Sequence, residues 1–188
     1  DRHAFLDHGY DAAKLQDENF LRQLGIADAT GIAQKYGLVK GNESKKGLNL
    51  KAHVEYKSKY GSGEPTDVMI DALLEDFRQG DYKRIIAIGG GAVIDMAKIL
   101  VLDGEAKAES YYRKEVPLRK VRTLLAVPTT CGAGSEVSNV SITEITSIHS
   151  KLGLAVDEIY ADEAVLIPEL LREIPYEFFA TSAIDAFI

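Results

Sequence analysis

Two short stretches of the chain hold residue types suited to chemistry. The first is Ile88-Gly89-Gly90-Gly91-Ala92-Val93-Ile94-Asp95-Met96-Ala97-Lys98, which joins a β-type apolar run to a helical one. Glycines without Cβ let a backbone approach a ligand closely, and the helix that follows offers free N–H groups and a partial positive charge. Together they form an anion site suited to a pyrophosphate. The run is neither a GxGxxG fingerprint nor a P-loop, which needs GxxxxGK[ST]. A tight strand-to-helix turn alone explains a bare GGG equally well. Asp95, read here as lying in the first helical turn, is either a partner of the helix dipole or a polar ligand contact.

The second stretch is Val127-Pro128-Thr129-Thr130-Cys131-Gly132-Ala133-Gly134-Ser135-Glu136-Val137-Ser138. Again a buried strand runs into a loop of small residues and hydroxyls. Open α/β sheets bind ligands outside the carboxyl ends of their strands, so the two loops are expected to line one crevice. No GxSxG occurs, which removes a nucleophile elbow. Cys131, the single cysteine, has no histidine near it in sequence and reads as packed rather than nucleophilic. His3, His8, His53 and His149 show no ligand spacing on one helix face, and none is assigned to a metal.

The elements that must position these loops follow from periodicity. Phe20, Leu21 and Leu24 suggest a short amphipathic helix after Asp17, and Lys40 to Gly47 is a polar loop. Leu48, Leu50, Ala52, Val54 and Tyr56 alternate with polar residues, the period of a half-buried strand. Thr66 is the expected N-cap of a helix whose apolar face is Met69, Ile70, Leu73, Leu74 and Phe77. Residues 84–88, 124–127 and 165–167 read as buried strands, and 92–102 and 176–188 as helices. Strands alternating with helices predict an α/β domain on a largely parallel sheet.

Composition bounds the function. The 188 residues include 46% hydrophobic and 27% charged side chains, an ordinary globular balance that excludes disorder for most of the chain. A net charge of −7 argues against nucleic acid as a main partner. No apolar run approaches the roughly 18 residues of a membrane span, and no signal-peptide core opens the chain. One cysteine excludes a disulfide framework and fits a reducing cytoplasm. The chain begins at Asp1 and stops at Ile188 inside an apolar, helix-like segment, as a piece of a longer protein would.

GGGAVIDMAK, VPTTCGAGSEVS and the tail SAIDAFI, in this order and at these separations, resemble the iron-dependent (group III) alcohol dehydrogenase family. Its patterns run approximately GGGSxxDxAK, PTTxGTGSEVT and a late (G/S)xDAxxH. Glu64-Pro65-Thr66, Lys151-Leu152-Gly153-Leu154 and Ile167-Pro168-Glu169-Leu170 add to the likeness, which covers about residues 57–188. KYGSGEPTD, RIIAIGGG, VPTTCG, Asp157 to Ala161 and Ile174 to Phe179 look most like the family's NAD-dependent 4-hydroxybutyrate dehydrogenases.

The resemblance implies a Rossmann-like α/β domain that binds NAD(H), followed by an all-helical domain, with a divalent metal, Fe2+ or Zn2+, in the cleft. On this reading residues 1–47 are a divergent segment, 48–175 the α/β domain and 176–188 the start of the helical domain, the rest being absent. Gly89, Gly90, Gly91 and Ala92 would lie against the pyrophosphate with Asp95 nearby. Thr129, Thr130 and Gly132 would line the nucleotide loop, Ser138 would stand near the nicotinamide, and Lys151 would reach the cofactor. Asp185 would be the first metal ligand, the metal carrying the chemistry. The substrate would be a small hydroxy acid, semialdehyde or alcohol, and the full-length enzyme a dimer.

Some positions depart from the pattern. The family's histidine four residues after Asp185 would fall just past Ile188. Ala92 stands in place of the usual serine, Ala133 in place of a threonine, and Ile167 where most members have Asp before Pro. Residues 1–47 match no part of the family pattern. Three functions follow: the dehydrogenase of 4-hydroxybutyrate and succinate semialdehyde, another alcohol, diol or maleylacetate-type enzyme of the family, or a nucleotide-binding module without catalysis.

Overall fold

The computed structural model describes residues 57–187 other than Glu173. The helix expected after Asp17, the loop at 40–47, the strand at 48–56 with His53, and Ile188 lie outside the described residues. Within them run α1 (Asp67–Arg78), β1 (Arg84–Gly89), α2 (Gly91–Leu100), α3 (Ala108–Tyr112), β2 (Thr123–Pro128), β3 (Val140–Ile145), β4 (Ser150–Ala155), β5 (Glu163–Ala164) and α4 (Tyr176–Phe187).

β1, β2 and β5 form a parallel sheet in the order β1-β2-β5, with Arg84 opposite Thr123 and Gly89 opposite Pro128. β2 is buried from Leu124 to Pro128, as the continuous apolar run of a covered central strand demands. Because β1 and β2 are in register to their last residues, both glycine and hydroxyl loops leave the same sheet edge side by side. That much of the α/β expectation holds.

The third strand is shifted. β5 pairs through Glu163 and Ala164, opposite Leu125 and Ala126, and not through 165–167. Val165 still donates its N–H to Ala126 O at 2.8 Å and packs with Leu125, Val127 and Leu170. Leu166 then faces outward at 68% exposure, and Pro168 opens a 3-10 turn over Pro168–Leu171. Proline supplies no ladder N–H, so the apolar run ends the strand instead of forming it.

A second departure is the antiparallel hairpin β3–β4, which a largely parallel sheet does not include. Its turn passes through His149 at φ 46°. Ile145 and Leu154 are its fully buried apolar residues, and both belong to the main core with Ile70, Ile94, Ile99 and Tyr111.

Local chemistry fixes the helices. Thr66 is extended at φ −118°, ψ 158°, and its Oγ1 accepts the N–H of Met69 at 3.2 Å, the N-cap role expected from sequence. At the far end of α2 the Arg122 guanidinium donates to Leu100 O at 3.1 Å and Leu102 O at 2.7 Å. It also donates to Tyr82 O and lies over the Phe77 ring. A cation on the orphan carbonyls at a helix C-terminus is favourable, and this one ties α2 to the entrance of β1.

α3 reaches β3 by a buried relay. Ser141 Oγ donates to Asp95 O at 2.9 Å, so the 2.6 Å contact between Tyr112 and Ser141 is a bond donated by the phenol. Burial pushes the Tyr112 phenol above its ordinary value near 10. The folded protein therefore holds that proton after the unfolded chain has released its own. Stability from Tyr112 is complete below pH 10 and lost as pH rises further. Tyr112→Phe is expected to cost about 1 kcal/mol at pH 7, the scale of one hydrogen bond. Its deficit should shrink above pH 10 in denaturant titrations, and a deficit that stays constant would contradict this assignment.

Candidate nucleotide-binding site

The two motifs meet at the carboxyl ends of β1 and β2. Thr129 N donates to Gly89 O at 3.0 Å, which carries the β1–β2 ladder one step past the sheet. Gly90 is the N-cap of α2 at φ −75°, ψ −176°, and no side chain caps it. Val93 and Ile94 N–H groups return to Gly90 O at 3.0 and 3.2 Å. The first N–H groups of α2 are thus left to whatever approaches from the crevice, the requirement for an anion.

Gly91 and the second loop are in close contact. A Cβ at Gly91 would lie 2.9 Å from the Cβ of Ala133 and 3.1 Å from Ser135 Oγ. A threonine at 133 would crowd the same spot further, so Ala133 suits this approach. Gly134 is left-handed at φ 62°, a conformation that glycine adopts freely, and starts the 3-10 turn Ser135–Val137. Thr130 sits opposite Gly90, its Cγ2 3.4 Å from where a Cβ would stand there. Gly90 and Thr130 therefore face each other across the loops, Gly91 meets Ala133 and Ser135, and Gly89 and Thr129 are buried beneath them.

Gly132 touches a different element. A Cβ there would lie 2.7 Å from the carbonyl carbon of Ser182 and closer still to its oxygen. The second loop is thereby pressed against the backbone of α4, the helix that carries Asp185. No residue of α4 is buried, and Phe179, Ile184 and Phe187 are exposed.

Asp95 corrects its expected position. α2 begins at Gly91, so Asp95 lies in its second turn and its carboxylate does not face the helix N-terminus. Oδ1 is 3.4 Å from Lys98 Nζ, and Oδ2 accepts the N–H of Ile142 at 3.0 Å. Asp95 fastens β3 to α2. Ser138 closes the second loop, and its Oγ accepts from Lys98 Nζ at 3.2 Å. Lys98 also donates to Val140 O at 2.5 Å and is wholly buried. Desolvation pulls its ammonium below the ordinary lysine value, while Asp95 and Glu136 pull the other way. The sequence offered a signal for it: Lys98 sits among Ile94, Ala97 and Val101 on the apolar face of its helix.

Lys151 and Asp185 stand apart from this cluster. Lys151 is exposed on β4 and pairs with Glu64 Oε2 at 2.5 Å, with no bond to either glycine loop. Asp185 is exposed on α4. Among the described residues no three His, Cys, Asp or Glu side chains stand together as a metal site. Iron or zinc needs at least three protein ligands, so these residues do not by themselves fit such an ion.

A parallel sheet with an uncapped helix N-terminus and a hydroxyl loop at its carboxyl edge is an α/β arrangement that presents free backbone N–H groups at a strand-end crevice. The sequence pattern of the iron-containing alcohol dehydrogenases matches residues 20–168, and the chain belongs to that family. The match begins inside the segment 1–47, which had matched no part of the family pattern, and ends before α4. The 4-hydroxybutyrate dehydrogenase of Clostridium kluyveri is 50% identical over 141 residues, 75% of this chain and 38% of that enzyme. The 4-hydroxybutyrate dehydrogenase of Cupriavidus necator is 29% identical over 84% of this chain and 40% of its own length. The chain spans about two fifths of these relatives. A sulfoacetaldehyde reductase from Bifidobacterium kashiwanohense, solved with NAD+, has the same fold at TM-score 0.62. It is 21% identical, with 93% of this chain and 47% of that one covered.

Proposed function

We propose that this chain is the cofactor-binding half of a metal-dependent dehydrogenase that interconverts 4-hydroxybutyrate and succinate semialdehyde with NAD(H). The observation that carries the reading is the 50% identity to the Clostridium kluyveri enzyme of that name. The bare N-terminus of α2 supports the cofactor, because it leaves N–H groups facing a crevice walled by Thr130.

NADH, when bound, would supply the hydride that reduces the aldehyde to the alcohol. The chain's own residues bind and orient. Gly89 to Ala92 receive the pyrophosphate on backbone N–H groups, with Asp95 holding the helix to β3. Thr129, Thr130 and Gly132 line the opposite wall of the nucleotide crevice, and Ser138 flanks the nicotinamide. Lys151, paired with Glu64 in this structure, would contact the cofactor. Asp185 would be the first ligand of a metal, Fe2+ or Zn2+, whose remaining ligands are not among the described residues.

The test is NADH oxidation by the full-length protein with succinate semialdehyde, butyraldehyde and dihydroxyacetone as alternatives. Succinate semialdehyde is expected to give the highest kcat/KM. Preference for either uncharged carbonyl overturns the substrate assignment.

A further inference from the structure

We infer that Lys98 is a positioning residue for the nicotinamide half of the cofactor, acting through the Ser138 hydroxyl. The inference rests on the cofactor reading above. Lys98 Nζ has three protons and three acceptors within reach: Asp95 Oδ1 at 3.4 Å, Ser138 Oγ at 3.2 Å and Val140 O at 2.5 Å. These acceptors come from α2 itself, from the end of the second loop and from the first residue of β3. An ammonium so coordinated holds the loop exit at one place on the helix.

Stability alone does not ask for a lysine here. Its neighbours Ile94, Ala97 and Val101 are buried apolar residues, and burying a charge among them costs free energy even when it is paired. A methionine would fill the volume without that cost. What the ammonium adds is direction. Because Ser138 Oγ accepts from Lys98, its own O–H is left to donate, and no acceptor for it occurs among the described residues. The hydroxyl is therefore set as a donor at the mouth of the loop, suited to an amide or carbonyl oxygen. Asp95 bonds the next stretch, accepting from Ile142 N and, through its carbonyl, from Ser141 Oγ. The pair Asp95–Lys98 thus clamps residues 138–142 to the helix whose N-terminus faces the pyrophosphate.

NADH and ADP-ribose separate this role from a general one, since ADP-ribose keeps both phosphates and lacks the nicotinamide. Calorimetric titration of the full chain with each ligand is expected to show that Lys98→Met weakens NADH about tenfold, the scale of a charged hydrogen bond. ADP-ribose affinity should change less than twofold. Ser138→Ala should lose NADH selectively as well, and should add little on the Lys98→Met background. Equal weakening of both ligands, or no weakening in a variant whose circular dichroism is unchanged, overturns the inference. Should Lys98→Met fail to fold, Ser138→Ala decides alone by the same comparison. A wild-type chain that binds neither ligand removes the cofactor reading itself.

Discussion

Gly90→Val is expected to weaken NADH binding at least tenfold, or about 1.4 kcal/mol, while the fold stands. Gly90 is extended at φ −75°, ψ −176°, a backbone open to any residue, so valine introduces no strain there. Its Cβ would meet Thr130 Cγ2 at 3.4 Å, an ordinary contact. The two methyl groups beyond it extend into the crevice between Gly90 and Thr130, where the N–H groups at the start of α2 are reached. Valine is also a poorer N-cap than glycine, at a cost of about 1 kcal/mol at most. Calorimetry with NADH alongside thermal unfolding checks both halves. Equal NADH affinity in wild type and variant would remove the pyrophosphate from this loop.

Gly132→Ala is expected to release α4 without unfolding the domain. The new methyl would stand 2.7 Å from the Ser182 carbonyl carbon, and the obstacle is backbone that no rotamer change can move. Overpacking of this kind costs about 1–3 kcal/mol. α4 has no buried residue with which to resist, so it gives way before the sheet does. Hydrogen exchange should show the amides of Tyr176–Phe187 losing protection while those of β1, β2 and α2 keep theirs. Unchanged exchange across α4 would mean that the loop yields instead. Asp185 rides on that helix, so Gly132 sets the distance between the nucleotide loop and the proposed metal ligand.

The sequence by itself determined what local rules govern. Apolar period and cap residues placed α1 at Thr66 and the strands at 84 and 124, because side-chain spacing and orphan helix N–H groups are properties of short segments. The motif order was enough to indicate the family, and the 20–168 match bears that out. It also put both small-residue loops at strand ends, and parallel pairing makes them neighbours. The tertiary structure decided what lies between distant residues. Asp95 reads as a first-turn carboxylate until α2 is seen to start at Gly91 and β3 to dock beside it. Val165–Ile167 reads as a strand, yet the ladder ends at Ala164, where Pro168 ahead removes a donor. The position of Lys98 on an apolar helix face hints at burial, but its acceptors Ser138 and Val140 lie forty and more positions along the chain and only the fold brings them to it. Gly132 looks like one more loop glycine until Ser182 arrives against it. In each case the deciding partner is remote in sequence, and only packing fixes which remote groups a side chain meets.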